Sequence, residues 1–200
     1  VRFSDTQAIG YEILGRIDED DLPSDPVELF EVAAYMGCAS DLSALFRETG
    51  VDWGRRLPGS LLWFTNTHPA ELDRLDLLME SLERTHEMAP SNQIVLEINE
   101  RVLPRTDEMK QFRDRLAGLD IALAFDDFGV GQTRLVELAK MPPDLLKFDM
   151  SLVRNIHLAP KRLHQMVLTF VKAAHDLGIK TLAEGIGMPR RRRNVPATRL

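Results

Sequence analysis

Five apolar runs of this sequence end on an oxygen-bearing side chain: Asn66, Glu97, the pair Asp126-Asp127, Asp149 and Glu184. Carboxylates and a carboxamide gathered at one end of a sheet repel one another, and some take up protons, unless cations neutralise them. Divalent metal resolves that conflict, and the donor set selects among metals. Hard oxygen ligands suit Mg2+ or Mn2+, whereas zinc brings His or Cys. None of His68, His86, His157, His164 and His175 falls at the end of such a run. The adjacent Asp126-Asp127 suits a shared site: the first side chain can bridge two ions while the second reaches only one, as metal-assisted cleavage of a phosphodiester needs.

The elements that would position these groups follow from periodicity. Short, nearly continuous apolar runs predict strands at Ile9 to Leu14, Leu61 to Asn66, Ile94 to Ile98, Ile121 to Phe125, Leu145 to Phe148 and Lys180 to Ala183, the pattern of strands buried on both faces. A helix is predicted from Pro26 after the N-cap Asp25, with Leu29, Val32, Ala33 and Met36 at three- and four-residue steps. Others are predicted at Ala70 to His86, Asp107 to Ala117, Thr133 to Lys140 and Arg162 to Leu177, with Pro142-Pro143 and Gly178 marking sharp exits. This alternation fits a doubly wound sheet or a (β/α)8 barrel. Polar groups at the C-terminal ends of many strands favour the barrel, since a doubly wound sheet concentrates its site at one switch point.

Composition sets the class. The chain has 200 residues, 44% of them hydrophobic, one cysteine and a net charge of -6. Five of its 25 basic residues lie in 189–200, which leaves 20 against 31 acidic residues in the remainder, a net of -11. So acidic a body is a poor generic nucleic-acid binder and suits a cleft that collects cations. No run approaches the ~18 apolar residues of a membrane-spanning helix, and Cys38 can form no internal disulfide. A cytoplasmic domain is expected.

Six ordered segments carry a family resemblance. They are Gly10-Tyr11-Glu12-Ile13-Leu14-Gly15-Arg16, Asn66-Thr67-His68-Pro69, Leu96-Glu97-Ile98-Asn99-Glu100, Phe125-Asp126-Asp127-Phe128-Gly129-Val130-Gly131, Leu146-Lys147-Phe148-Asp149 and Leu182-Ala183-Glu184-Gly185-Ile186. Together they resemble the EAL domain, the bacterial family of cyclic di-GMP phosphodiesterases and their non-catalytic relatives. The resemblance implies an α/β fold, a TIM-type (β/α)8 barrel. It also implies that Glu12, Asn66, Glu97 and Asp126 hold one Mg2+ or Mn2+ ion, and Asp126, Asp127 and Glu184 the second. Lys147 would orient the attacking water and Glu184 would deprotonate it, giving linear pGpG from cyclic di-GMP. Arg16 and Leu14 would contact the substrate, and Glu100, Gly129 and Gly131 would support the loop past Asp127. The implied partners are cyclic di-GMP and the sensory or GGDEF domains that flank such units.

The sequence also departs from that pattern. The signature reads Glu-Ile-Leu in place of Glu-Ala-Leu, and Asn99 replaces the usual Thr. The match starts past the family's first Gln-Pro-Ile strand, and Gly187 stands where a second glutamate is usual. The expectation is therefore a barrel incomplete at both ends: a partial phosphodiesterase domain over 1–187 and a disordered basic tail over 188–200. A barrel of this kind takes ~250 residues. A shifted frame or truncation after Ile186 accounts for the arginine run, with a tail for an acidic partner or membrane surface as the alternative. Open strand edges would invite pairing with a second copy, a homodimer. A catalytically inactive receptor or interaction module is the alternative to the enzyme. Elsewhere, Tyr35, Met36, Cys38, Trp53 and Trp63 are expected to pack, His68 to serve its loop, and Glu137 and Asp149 to be structural.

Overall fold

In a computed structural model, residues 7–57, 61–102, 106–130 and 135–185 are described. Gly131, Gly187 and the basic tail lie outside them. Among the described residues six strands are present: β1 (Gly10–Ile13), β2 (Leu62–Asn66), β3 (Ile94–Asn99), β4 (Ala122–Phe128), β5 (Leu145–Phe148) and β6 (Lys180–Ala183). All neighbours pair in parallel, in the order β1-β2-β3-β4-β5-β6. That order never reverses, so there is no switch point among the described strands, and they form an open arc of the TIM-type barrel.

Helices follow the strands: α1 (Pro26–Tyr35), α2 (Ala39–Gly54), α3 (Pro69–Leu72), α4 (Leu75–Met88), α5 (Thr106–Gly118), α6 (Leu135–Lys140), α7 (Met150–Val153) and α8 (Lys161–Asp176). Among the described residues no helix is long and apolar enough to cross a membrane. Asp25 caps α1 as expected, accepting from the Val27 N–H at 2.9 Å, with Pro26 in the first turn.

Strand alternation divides the core in two. Ile94, Leu96, Ile98, Leu123, Phe125, Leu146 and Phe148 face the helices and pack with Leu78, Met79, Leu82, Phe112 and Leu116. The intervening residues Phe64, Val95, Ala122, Ala124 and Leu145 form a smaller cluster on the opposite, inner face. Each fully buried aliphatic side chain contributes about 1.5–3 kcal/mol, so the outer layer fixes the arc.

Several expectations need correction. The helix expected over Ala70 to His86 is broken after Leu72 into α3 and α4. A capping box between His68 and Glu71 closes α3 on itself, and Arg74 leaves helical backbone before α4 begins. No helix was expected over α2. Of the α1 stripe only Leu29 and Ala33 are buried; Tyr35 and Met36, expected to pack, are 94% and 72% exposed, because Tyr35 falls on the other side of the helix and Met36 is its C-cap, past the last helical residue. Trp63 is buried as expected, but Trp53 is exposed, with the Arg56 guanidinium 4.8 Å over its ring. Helix α2 packs closely over β1. A Cβ on Gly50 would lie 2.0 Å from Ile13 Cγ2, so only glycine lets this helix rest on the strand that carries Glu12.

Candidate metal centre

The inner face of each strand ends in a polar residue, because the alternation that places Phe64, Val95, Ala124 and Leu145 inward continues two residues on to Asn66, Glu97, Asp126 and Lys147. Pairing aligns them: Asn66 lies opposite Glu97, and Asn99 opposite Asp126. Glu12, Glu97, Lys147 and Glu184 line one cleft of about 360 Å³ with Phe64 and Leu182. Asn66 Nδ2 donates to Glu12 Oε1 at 3.4 Å across its rim.

Lys147 is the hub. Its Nζ lies 2.5 Å from Glu97 Oε1, 3.1 Å from Asp126 Oδ1 and 2.7 Å from Glu184 Oε1. Lys147 and Glu97 are 3% and 1% exposed, so these charges interact through little solvent. Burial pulls the Lys147 ammonium down, but the Glu97 and Asp126 carboxylates outweigh it and hold the group well above its ordinary range. Burial pushes the Glu97 carboxyl up to about 8 against the attraction of Lys147, with Asp126 and Glu12 adding to the rise. Glu184 is raised chiefly by burial, opposed by its hydrogen bond with Lys147.

Asp127 breaks the alternation. As the residue after an inward Asp126 it would point outward, yet the β4–β5 register shifts between Phe125 and Phe128 and Asp127 takes a left-handed backbone, φ +58°. Such a bulge re-aims a side chain, and Asp is among the few residues that accept this conformation. Consecutive carboxylates thereby share one face. Asp126, Asp127 and Glu184 each offer an oxygen within 4.8 Å of the others. Burial and Asp126 raise the Asp127 carboxyl.

Asn99 secures Asp127. Its Oδ1 accepts the Arg101 backbone N–H at 3.0 Å and its Nδ2 donates to Asp127 Oδ2 at 2.5 Å, leaving Oδ1 of Asp127 for another partner. Asn99→Leu is expected to weaken Mn2+ binding by about 10–100-fold, the usual cost of losing a ligand's hydrogen-bond partner. Isothermal titration checks it, and unchanged affinity would show that the bulge alone aims Asp127.

The remaining predicted residues sit around this centre. Arg16 and Leu14 line a neighbouring pocket with Asn66, Phe30 and Phe46, and Arg16 Nη1 donates to the Gly15 carbonyl at 2.7 Å. Glu100 is buried in a 3-10 turn directly after β3. From the same turn Arg101 Nη2 donates to the Val130 carbonyl at 3.2 Å, which ties down the loop past Asp127. Gly129 is required there: its φ is +100°, and an added Cβ would lie 2.1 Å from Leu152. Asp149 caps α7 through Ser151 N–H at 2.7 Å, the structural role expected of it. His68 serves its loop, its Nδ1 accepting from Ala70 N–H at 3.2 Å. Composition signalled neither the Asn99–Asp127 bond nor the hub position of Lys147; strand alternation was the available signal for Lys147, and none was available for Asp127, whose inward turn rests on the register shift.

The centre fits hard cations on its own geometry. Glu97 Oε2 is buried without a hydrogen-bond partner among the described residues, and every other candidate donor nearby is a carboxylate or amide oxygen.

Comparison with known proteins decides the family, because a model of the EAL domain matches residues 1–193. The chain belongs to the EAL domain family. It is 30% identical over 191 residues to an uncharacterised protein of Azorhizobium caulinodans, covering 89% of this chain and 26% of that one. It is 34% identical over 95 residues to the cyclic di-GMP phosphodiesterase NbdA of Pseudomonas aeruginosa, covering 47% of this chain and 12% of NbdA. The fold of this EAL domain superposes on Klebsiella pneumoniae BlrP1, solved as a manganese and cyclic di-GMP complex. The TM-score is 0.68 at 28% identity, covering 82% of this chain and 43% of that one. The EAL domain thus spans less than half the length of each of these relatives.

Proposed function

We propose that this EAL domain hydrolyses one phosphodiester bond of cyclic di-GMP to give linear pGpG, using two Mg2+ or Mn2+ ions. The observation that carries the reading is the convergence of Glu12, Glu97, Lys147 and Glu184 on one cleft, with Asp126 and Asp127 turned to the same face. Glu12, Asn66, Glu97 and Asp126 would hold one ion, and Asp126, Asp127 and Glu184 the other. Bound ions lower the water pKa and stabilise charge on the phosphoryl and leaving oxygens.

The chain's own groups do the rest. Glu184, whose proton affinity is raised by burial, accepts the proton of the attacking water. The new bond joins that water oxygen to phosphorus, the bond to the ribose O3′ breaks, and O3′ leaves to take up a proton. Lys147, held charged by its three carboxylate neighbours, orients the water and counters developing negative charge. Arg16, which lines a pocket with Asn66, would grip a phosphate oxygen. One sequence feature favours the receptor alternative: Gly187 at the position of the family's second glutamate.

Metal-dependent formation of pGpG by the purified chain, followed by chromatography with an EDTA control, tests the proposal. Glu184→Gln is expected to remove turnover while largely sparing dinucleotide binding. Loss of binding in that variant would refute the base role. A folded wild-type chain that binds the dinucleotide and yields no product would establish the receptor.

A further inference from the structure

Outside the cleft the molecule buries a second charge cluster that the proposed reaction does not use. Arg47 of α2 and Glu71 of α3 are 1% and 3% exposed. Arg47 Nη2 donates to both Glu71 oxygens, at 2.7 and 2.9 Å, and Nη1 donates to Ser81 Oγ of α4 at 2.8 Å. Ser43 Oγ donates to Glu71 Oε2 at 2.7 Å. Three helices are therefore joined through one guanidinium–carboxylate fork.

Stability alone is a weak reason for such a pair. Desolvating two charges consumes most of the attraction between them, and apolar residues of similar volume often serve as well. The remaining bond of Glu71 gives the pair a different use. Its Oε2 also accepts the backbone N–H of His68 at 3.0 Å, two residues beyond Asn66. On the other side of that turn, the Thr67 N–H donates to the Glu97 carbonyl at 3.0 Å. The ring of His68 stacks on Phe30, 5.0 Å between centroids and 8° between planes. The short segment carrying Asn66 is thus held from the sheet by Glu97 and from the helix layer by Glu71, whose position is set by Arg47. Arg47 also borders the pocket that Asn66 lines.

We infer that Arg47 is a positioning residue for Asn66: through Glu71 it fixes the β2–α3 turn and thereby the aim of the Asn66 carboxamide at the metal centre. This rests on the two-metal reading above. Its expected signature is lower metal affinity in a chain that remains folded.

The test uses the full chain and Mn2+ alone, with free Mn2+ quantified by electron paramagnetic resonance well below the melting temperature. The double variant Arg47→Met with Glu71→Leu removes both charges together and releases the His68 N–H. It is expected to bind Mn2+ about 10–100-fold more weakly, as when the partner of a ligand is lost. Arg47→Lys keeps the charge but cannot reproduce the fork that spans Glu71 and Ser81. It is expected to lose about tenfold, and it keeps the test decisive if the double variant does not fold. Wild-type affinity in either folded variant overturns the inference and leaves the pair a packing element. A wild-type chain that binds no Mn2+ overturns the metal reading itself, a separate outcome.

Discussion

Asp126→Asn is expected to lower cyclic di-GMP hydrolysis by at least about a thousandfold, roughly 4 kcal/mol of barrier, and to weaken Mn2+ binding in parallel. Asp126 is the residue that the proposed arrangement asks to serve both ions, so neutralising it removes charge from each site at once. The substitution is gentle elsewhere. Asp126 Oδ1 accepts the Asp127 N–H at 2.9 Å, which an asparagine oxygen can also do, so the bulge that turns Asp127 inward should survive. Equal melting temperatures in EDTA, beside lost product formation and weakened Mn2+ titration, are the expected pattern. Turnover within tenfold of wild type would refute the assignment of Asp126.

Lys147→Met is expected to give the largest loss of stability. Without metal this ammonium is the near counter-charge for Glu97, Asp126 and Glu184. Removing one partner of a buried pair costs about 3–5 kcal/mol, or on the order of 10 °C in a chain of this size. The loss should depend on pH with a definite sign. Burial raises the Glu97 carboxyl from 4.5 to about 8. A carboxyl raised on folding contributes stability that is present below its unfolded pKa and lost as pH rises through the folded one. Lys147 is itself raised, so in wild type its charge persists across that window and offsets the ionising carboxylates. Without that charge Glu97 would ionise only at still higher pH, so the deficit of Lys147→Met in EDTA should grow as pH rises through about 8, from about pH 7 to 9, and added Mn2+ should shrink it there. Thermal melts across that range check it, and a deficit that stays constant with pH would sink the counter-charge role.

Much of this was legible in the sequence, for reasons visible in particular residues. The six strands are nearly continuous apolar runs, and five of them end on a side chain with no business in a core, which is why Asn66, Glu97, Asp126 and Glu184 could be named before any fold was known. The roles of Lys147, Glu12 and Arg16 came from family resemblance. What escaped detection was hidden by polarity or by backbone geometry. The buried stripe of α2 is Ala39, Ser43, Arg47 and Val51, one residue per turn, and two of the four are polar, so the helix carried little apolar signal. The inward turn of Asp127 depends on a register shift and a positive φ, neither of which periodicity can register. Tyr35 and Met36 misled in the opposite direction, as apolar residues that face solvent.

The strand order has a consequence for how the centre comes into being. Glu12 sits on β1 and Glu184 directly follows β6, the first and last strands of the described arc, yet both border the same cleft. The cleft therefore draws on segments from nearly opposite ends of the chain. Contacts of such long sequence separation are the slowest to close, and fraying of either terminal strand would dissolve them while the middle of the sheet stayed intact. Two ions joined through Asp126, one drawing on Glu12 and the other on Glu184, would act together as a clasp across the mouth of the arc. Their joint occupancy would report whether the two margins of the sheet are both in place, and amide exchange at β1 and β6 should slow together when the clasp is fastened.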